Sequence, residues 1–285
     1  RQIRDVQILL EDRTLGDLII KLPFLDRIKR EKIVLLCDKN NSAILRYFLP
    51  GIDVLEIGCE RFVSHPIYRY QVTRKICAEG LPRAVSILTP YNNLAIMRTG
   101  AKILSPERYV YKGEKVQDAI KLDALEKDFC FIENPFESER LIDAHISEHV
   151  RVIFEHLFHR EFKLSRSDYV AFFSKFKKKE RQEGGYIVLV VDAGEEYRSY
   201  DHHNWQMVVD NFPATSKMVV LGSKKISLQH ANIANLTDRT TLTEAIELVL
   251  NADLTIGNET GLTHLAYLSG IPTVCVLGGG HWGRF

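Results

Sequence analysis

The chain is poor in the features that mark special classes of protein. Its 285 residues hold five cysteines, Cys37, Cys59, Cys77, Cys130 and Cys275, an odd number without metal-ligand spacing. That argues against a disulfide framework and points to a reducing cytoplasm, with each cysteine read as a small buried apolar residue. The net charge is only +1, so no global field draws the chain to nucleic acid. No segment approaches the ~20 apolar residues that a membrane span needs. Arg1 to Asp5 shows no signal-peptide core. Solenoid-length repeats and low-complexity tracts are missing. No G-x-G-x-x-G follows any apolar run, which argues against a nicotinamide or flavin fingerprint.

What is present is an ordinary globular composition, 45% hydrophobic and 26% charged, in a length comfortable for two domains. Short apolar runs alternate with helix-period segments. Val6 to Leu10, Lys32 to Cys37, Asp53 to Ile57 and Arg83 to Leu88 read as strands. Leu18, Ile19, Leu22, Leu25 and Ile28 mark one helix face, within which Pro23 is expected to kink the helix or shift its start. A helix is expected over 92–99, and the signals from Tyr109 to Glu133 are mixed. Ile142 to Phe158 and Ser167 to Phe176 read as helices. The basic, polar stretch Lys175 to Gly185 reads as the approach to a linker. A second alternating unit follows: strand 186–192, helix 202–211, strands 217–221 and 233–236, then a capping box at Thr241 and Glu244 opening a helix to Leu250. Strand, turn and helix over 253–266 come next, and a last strand over 273–277. The expectation is an α/β protein of two doubly wound domains, 1–175 and 176–285, with parallel strands and crossover helices. The chain stops at Phe285 after a loop of ligand-binding type, so the second domain is expected to be truncated.

Three constellations carry chemistry. Asp17 stands beside Gly16 at a helix start beyond the first strand, where a carboxylate serves as a helix cap or as a general base facing a cleft. Arg198 lies in the loop after strand 186–192, followed by a helix carrying Trp205. A loop arginine is either solvated or a planar clamp for phosphate. The third is the turn Glu259-Thr260-Gly261-Leu262-Thr263-His264. Free N–H groups at its helix start favour an anion, and Gly261 is expected to let a phosphate approach the backbone. His264, in the first helical turn, is structural or functional. The last strand empties into Gly278, Gly279 and Gly280, a second loop suited to an anionic, sugar-sized ligand.

In their order and spacing these sites resemble glycosyltransferase family nine, the heptosyltransferases that build bacterial surface polysaccharide. The stretches that carry the resemblance are Arg13 to Pro23, with its Gly16-Asp17 pair; Ala193-Gly194 with Arg198 and Trp205; and Glu259 to Ala266 continuing to Gly270-Ile271-Pro272-Thr273. The resemblance runs from the first strand to Phe285, loosely in the middle. It implies a GT-B fold, with two Rossmann-like domains facing across a cleft, acceptor on the first and nucleotide sugar on the second. It implies Asp17 as catalytic base, with Arg198, Glu259, Thr260, Gly261, Leu262, His264 and Gly279 binding the donor. It also implies an inverting, metal-independent transfer of a sugar, heptose in the family, from a nucleotide-diphosphate donor, ADP-linked, with no cofactor beyond that substrate. The acceptor would be a hydroxyl of a surface glycan or glycolipid.

Two departures stand out. The family typically has aspartate where this chain has Glu259. The family also often has an acid after the strand ending near Leu221, where this chain reads Gly222-Ser223-Lys224-Lys225. Two alternatives remain beside the transferase: a nucleotide-sugar epimerase of GT-B fold, and a non-catalytic sugar-nucleotide-binding homologue. The basic clusters at Arg27 to Lys32 and Lys175 to Arg181 read as solvated faces or as peripheral contacts with the inner membrane of an otherwise cytoplasmic protein.

Overall fold

The computed structural model describes residues 7–10, 15–31, 33–58, 61, 67–68, 71, 83–86, 103–105, 110–111, 114–115, 129–131, 146–178, 184–194 and 198–277. They fall into two compact units. One is built from residues 1–13 and 24–163, the other from 14–23 and 164–283.

The first unit centres on a four-stranded sheet of β1 (Gln7–Leu10), β2 (Ile33–Cys37), β3 (Asp53–Glu56) and β4 (Arg83–Ser86), in the order β3-β2-β1-β4. Every pairing is parallel, with Gln7 opposite both Ile33 and Arg83. Parallel neighbours require crossovers. Helix α2 (Lys39–Phe48) supplies the one between β2 and β3 and buries Ile44, Leu45 and Phe48. Those three apolar residues in a polar segment are a thin sequence signal for a helix. Two short pairs are the other strands of this unit among the described residues: β5 (Ile103–Ser105) parallel to β8 (Phe129–Phe131), and β6 (Val110–Tyr111) antiparallel to β7 (Glu114–Lys115). The helix expected over 92–99 lies outside the described residues. Helix α3 (Ile146–Phe158) places Phe154 against Phe24 and Phe162, with ring centroids 5.7 and 5.5 Å apart.

Helix α1 (Leu15–Ile28) contributes to both units, its residues up to Pro23 to one and those from Phe24 to the other. It runs unbroken through Pro23. The ring removes one backbone donor, and the buried side chains around it, Leu22, Phe24 and Leu25, hold the helix through that loss.

The second unit carries the longer sheet: β9 (Ile187–Val190), β10 (Met218–Leu221), β11 (Ile233–Asn235), β12 (Leu254–Asn258) and β13 (Thr273–Val276), all parallel, in the order β11-β10-β9-β12-β13. Its helices are α4 (Arg166–Ser174), α5 (His202–Asp210), α6 (Leu242–Leu250) and α7 (Gly261–Leu268). The capping box expected at Thr241 and Glu244 is formed at the start of α6. A second box, Ser165 with Asp168, opens α4. Trp205 is fully buried from α5 among Leu189, Val209, Val220 and Ile256. Tyr169 of α4 donates its hydroxyl to the Ile20 carbonyl at 3.1 Å, tying the start of α1 into this unit. Among the described residues no helix is long and apolar enough to cross a membrane.

Candidate functional site

The order of the second sheet places the site. From β9 the chain steps outward to β10 and β11, then returns to the other side of β9 for β12 and β13. The direction of winding reverses between β9 and β12. Open α/β sheets bind ligands at such a reversal, beyond the carboxyl ends of the strands. Two of the sequence constellations leave the sheet there: the loop with Arg198 after β9, and the turn at Glu259 after β12.

Glu259 is the hub. It is 5% exposed. Its Oε2 lies 3.8 Å from Arg198 Nη1 and its Oε1 lies 3.5 Å from His264 Nε2. The backbone N–H of Glu259 donates to the Val276 carbonyl, fixing the turn to β13. Thr263 donates its hydroxyl to the Asn258 carbonyl at 2.6 Å and so closes the first turn of α7 onto β12. That closeness needs Gly257, where an added Cβ would stand 2.6 Å from Thr263 Oγ1 and 2.7 Å from Val190 Cβ. Thr260 occupies the N-cap position with an extended backbone, and its side chain makes no capping bond. The opening N–H groups of a helix have no partner inside it, so α7 presents donors and a positive dipole end beside Arg198. Leu262 is half-buried in the same turn.

The start of α1 belongs to this unit and meets that turn. A Cβ added at Gly16 would lie 3.3 Å from Cδ2 of the His264 ring, so the bare glycine backs the histidine. Asp17, 9% exposed, follows in the first turn of α1. The structure thus brings the first constellation to the third. A Cβ at Gly261 would meet Leu15, 2.4 Å from Cγ and 2.7 Å from Cβ. What approaches the backbone at Gly261 is therefore the side chain of Leu15. Gly279 lies outside the described residues.

Three residues were invisible to sequence reasoning. Asn258, fully buried at the end of β12, accepts from the Tyr200 backbone N–H at 2.9 Å, joining the Arg198 loop to the Glu259 turn. Its Nδ2 and Arg198 Nε are buried donors without a partner among the described residues. An asparagine in an otherwise apolar strand was the available signal. Lys21 is fully buried one helical turn beyond Asp17, on the same face. Asp192, just past β9, accepts from the loop after β10. Among the described residues no group of three His, Cys, Asp or Glu side chains is placed to hold a metal ion.

A cavity of about 1100 Å³ opens at the opposite end of this sheet, where Tyr186, Asp253 and Pro272 precede β9, β12 and β13. The described members of the basic segment near it are engaged: Lys177 donates to the Ser269 carbonyl at 2.9 Å, and Lys178 lies 3.5 Å from Glu247. In the other basic cluster Arg27, Lys29 and Arg30 are exposed, with Lys29 paired to Asp26 at 2.6 Å.

The fold is shared with proteins of known structure. The sequence matches no curated protein. Its fold matches E. coli heptosyltransferase WaaC, solved with ADP-2-deoxy-2-fluoro heptose, with a TM-score of 0.67 at 13% identity over 94% of this chain and 87% of that one. A glycosyltransferase family 9 protein from Veillonella parvula matches with a TM-score of 0.64 at 14% identity, covering 95% and 80%. A putative UDP-N-acetylglucosamine 2-epimerase from Listeria monocytogenes matches less well, at 0.51 and 10% identity, covering 95% and 79%. At such identities the likeness is one of fold, the GT-B fold of the heptosyltransferases. Residues 144–284, which hold the whole β9 to β13 sheet, match the profile of glycosyltransferase family 9 (heptosyltransferase), the family that the sequence resembles.

Proposed function

We propose that the chain is an inverting glycosyltransferase that moves a sugar, heptose in this reading, from an ADP-linked donor to a hydroxyl of a surface glycan or glycolipid. The observation that carries the reading is the convergence of Arg198, the start of α7 and the Gly16-Asp17 pair at the winding reversal between β9 and β12. The WaaC structure with an ADP-heptose analogue supports the choice of donor.

In this mechanism Asp17 takes the proton of the acceptor hydroxyl as its oxygen attacks the anomeric carbon. The bond from that carbon to the diphosphate oxygen breaks on the opposite face, and the electron pair leaves with the diphosphate. Arg198 and the N–H groups opening α7 stabilise the growing charge in the role that a cation plays elsewhere. Thr260, Gly261, Leu262 and the loop at Gly279 line the diphosphate. Glu259 holds Arg198 and His264 in place from behind. The exposed Arg27, Lys29 and Arg30 offer a basic surface to the inner membrane's cytoplasmic face.

The test is a panel of ADP-, GDP- and UDP-sugars, following release of nucleoside diphosphate with and without a glycan acceptor. Acceptor-dependent release is expected. Asp17→Asn is expected to lose turnover on the order of 100-fold while donor affinity stays near that of wild type. Near-normal turnover in that variant would remove Asp17 from the mechanism. Release without any acceptor would favour the epimerase reading, to which the Listeria fold match lends support. Binding without turnover would leave a sugar-nucleotide-binding homologue.

A further inference from the structure

Asp192 follows β9, the middle strand of the second sheet, and is half-buried. One of its oxygens is fully used. Oδ2 accepts from the Ser223 backbone N–H at 2.6 Å, the Ser223 hydroxyl at 2.7 Å and the Lys224 backbone N–H at 2.9 Å. This grip fixes the loop that follows β10. It depends on Gly222, where a Cβ would come within 3.2 Å of both Cγ and Oδ1 of the carboxylate. The other oxygen, Oδ1, accepts no hydrogen bond among the described residues.

A carboxylate oriented so firmly through one oxygen presents the other as a pre-set acceptor. Arginine, lysine and backbone N–H groups only donate. A nucleoside diphosphate resting on Arg198 and the start of α7 would therefore find donors for its phosphates there. Its ribose hydroxyls need acceptors. The loop after β10 offers no carboxylate in Gly222-Ser223-Lys224-Lys225, and both oxygens of Glu259 already face Arg198 and His264. Asp192 lies one strand across from the Glu259 turn, and neighbouring strands are about 4.8 Å apart. That is the order of the step from a diphosphate to its ribose.

We infer that Asp192 is the ribose acceptor of this chain: Oδ2 anchors the loop after β10, and Oδ1 takes a hydrogen bond from a ribose hydroxyl of the donor. The inference rests on the donor-site reading of the proposed function.

The experiment measures binding of ADP, GDP and UDP and of their 2′,3′-dideoxy forms by calorimetry. Wild type is expected to hold the preferred ribonucleotide at least about tenfold tighter than its dideoxy form, as befits a hydrogen bond to a charged acceptor. In Asp192→Asn the amide oxygen must turn to the three loop donors, which leaves an NH2 group facing the ribose. The ribo-to-dideoxy ratio should fall to about one. Ser223→Ala removes one anchor without touching Oδ1 and should keep the wild-type ratio. A ratio unchanged in Asp192→Asn, or lost equally in Ser223→Ala, overturns the assignment. Binding of ribo and dideoxy forms alike by wild type also overturns it, while leaving the donor site standing. If none of the three diphosphates binds wild type, the donor-site reading fails and this assignment with it.

Discussion

At the scale of the residue, Glu259 explains more than its own position. It is buried between two basic groups, so removing one of them leaves a charge short of its partner. Arg198→Ala is expected to weaken nucleoside diphosphate binding by roughly 1.5–3 kcal/mol, while the parent nucleoside binds both proteins alike. Equal loss for both ligands in calorimetry would mean that Arg198 supports the turn and not the phosphates. Glu259 also reaches Cys275 on β13. Desolvation first, and the Glu259 carboxylate second, push that thiol up to about 11. It therefore stays neutral up to strongly alkaline pH, and the folded state holds its proton longer than the unfolded chain does. The stabilisation is present below the ordinary thiol range near 8.5 and is lost as pH rises from there through about 11. Cys275 is exposed, not buried as the sequence suggested, but the chain packed around its thiol still desolvates it in part. Titration of thiolate absorbance should show this late transition, and Glu259→Gln should move it to lower pH without restoring the ordinary value, because that partial desolvation remains. An unmoved midpoint would break the link between Glu259 and Cys275. The acid, hydroxyl, glycine and histidine of this turn were legible because their spacing is local. Asp192 was not, because its meaning lies in an oxygen left over after three bonds to a loop about 30 residues later.

At the scale of the element, the turn from β12 into α7 is held by two glycines whose lack of a side chain is used at once. Gly257 admits Thr263 and Val190, and Gly261 admits Leu15. Leu15 meets Gly261 with its Cβ and Cγ, which cannot swing aside as a chain end would. Gly261→Ala should therefore destabilise by about 1–3 kcal/mol through overpacking. Leu15→Ala combined with it should recover part of that loss, since the two residues share one space. Chemical denaturation of the two single variants and the double variant tests this, and strict additivity would sink it. Helix ends were readable in the sequence where a cap announced them, as at Thr241 and Glu244. Pro23 misled because its effect depends on packing: the buried neighbours of α1 carry the helix through it. Helix α2 escaped notice because its buried face rests on few apolar side chains.

At the scale of the whole molecule, the alternation of strand and helix sufficed for two parallel α/β sheets, since period and punctuation are properties of neighbours in sequence. It did not reveal that the second unit is discontinuous, borrowing residues 14–23 from a distant part of the sequence. A fragment of residues 164–285 would lack Leu15 at Gly261, Gly16 at His264 and the Ile20 carbonyl that Tyr169 binds. Such a fragment is expected to unfold at lower temperature than the same unit in the full chain and to hold nucleoside diphosphate more weakly. A peptide covering residues 14–23 should restore part of both. A fragment as stable and as competent as the intact protein would show that the borrowed segment is dispensable.

The shared helix α1 also sets a timetable. Leu15 and Gly16 leave the ribosome roughly 250 residues before their partners Gly261 and His264. At ordinary synthesis rates of about 5–20 residues per second, that interval is roughly 12 to 50 s. For all of it the apolar front of α1, with Leu18, Ile19 and Leu22, has no finished unit to enter. The nascent chain must carry a sticky segment through that interval, and the site that would hold the donor exists only once it is over.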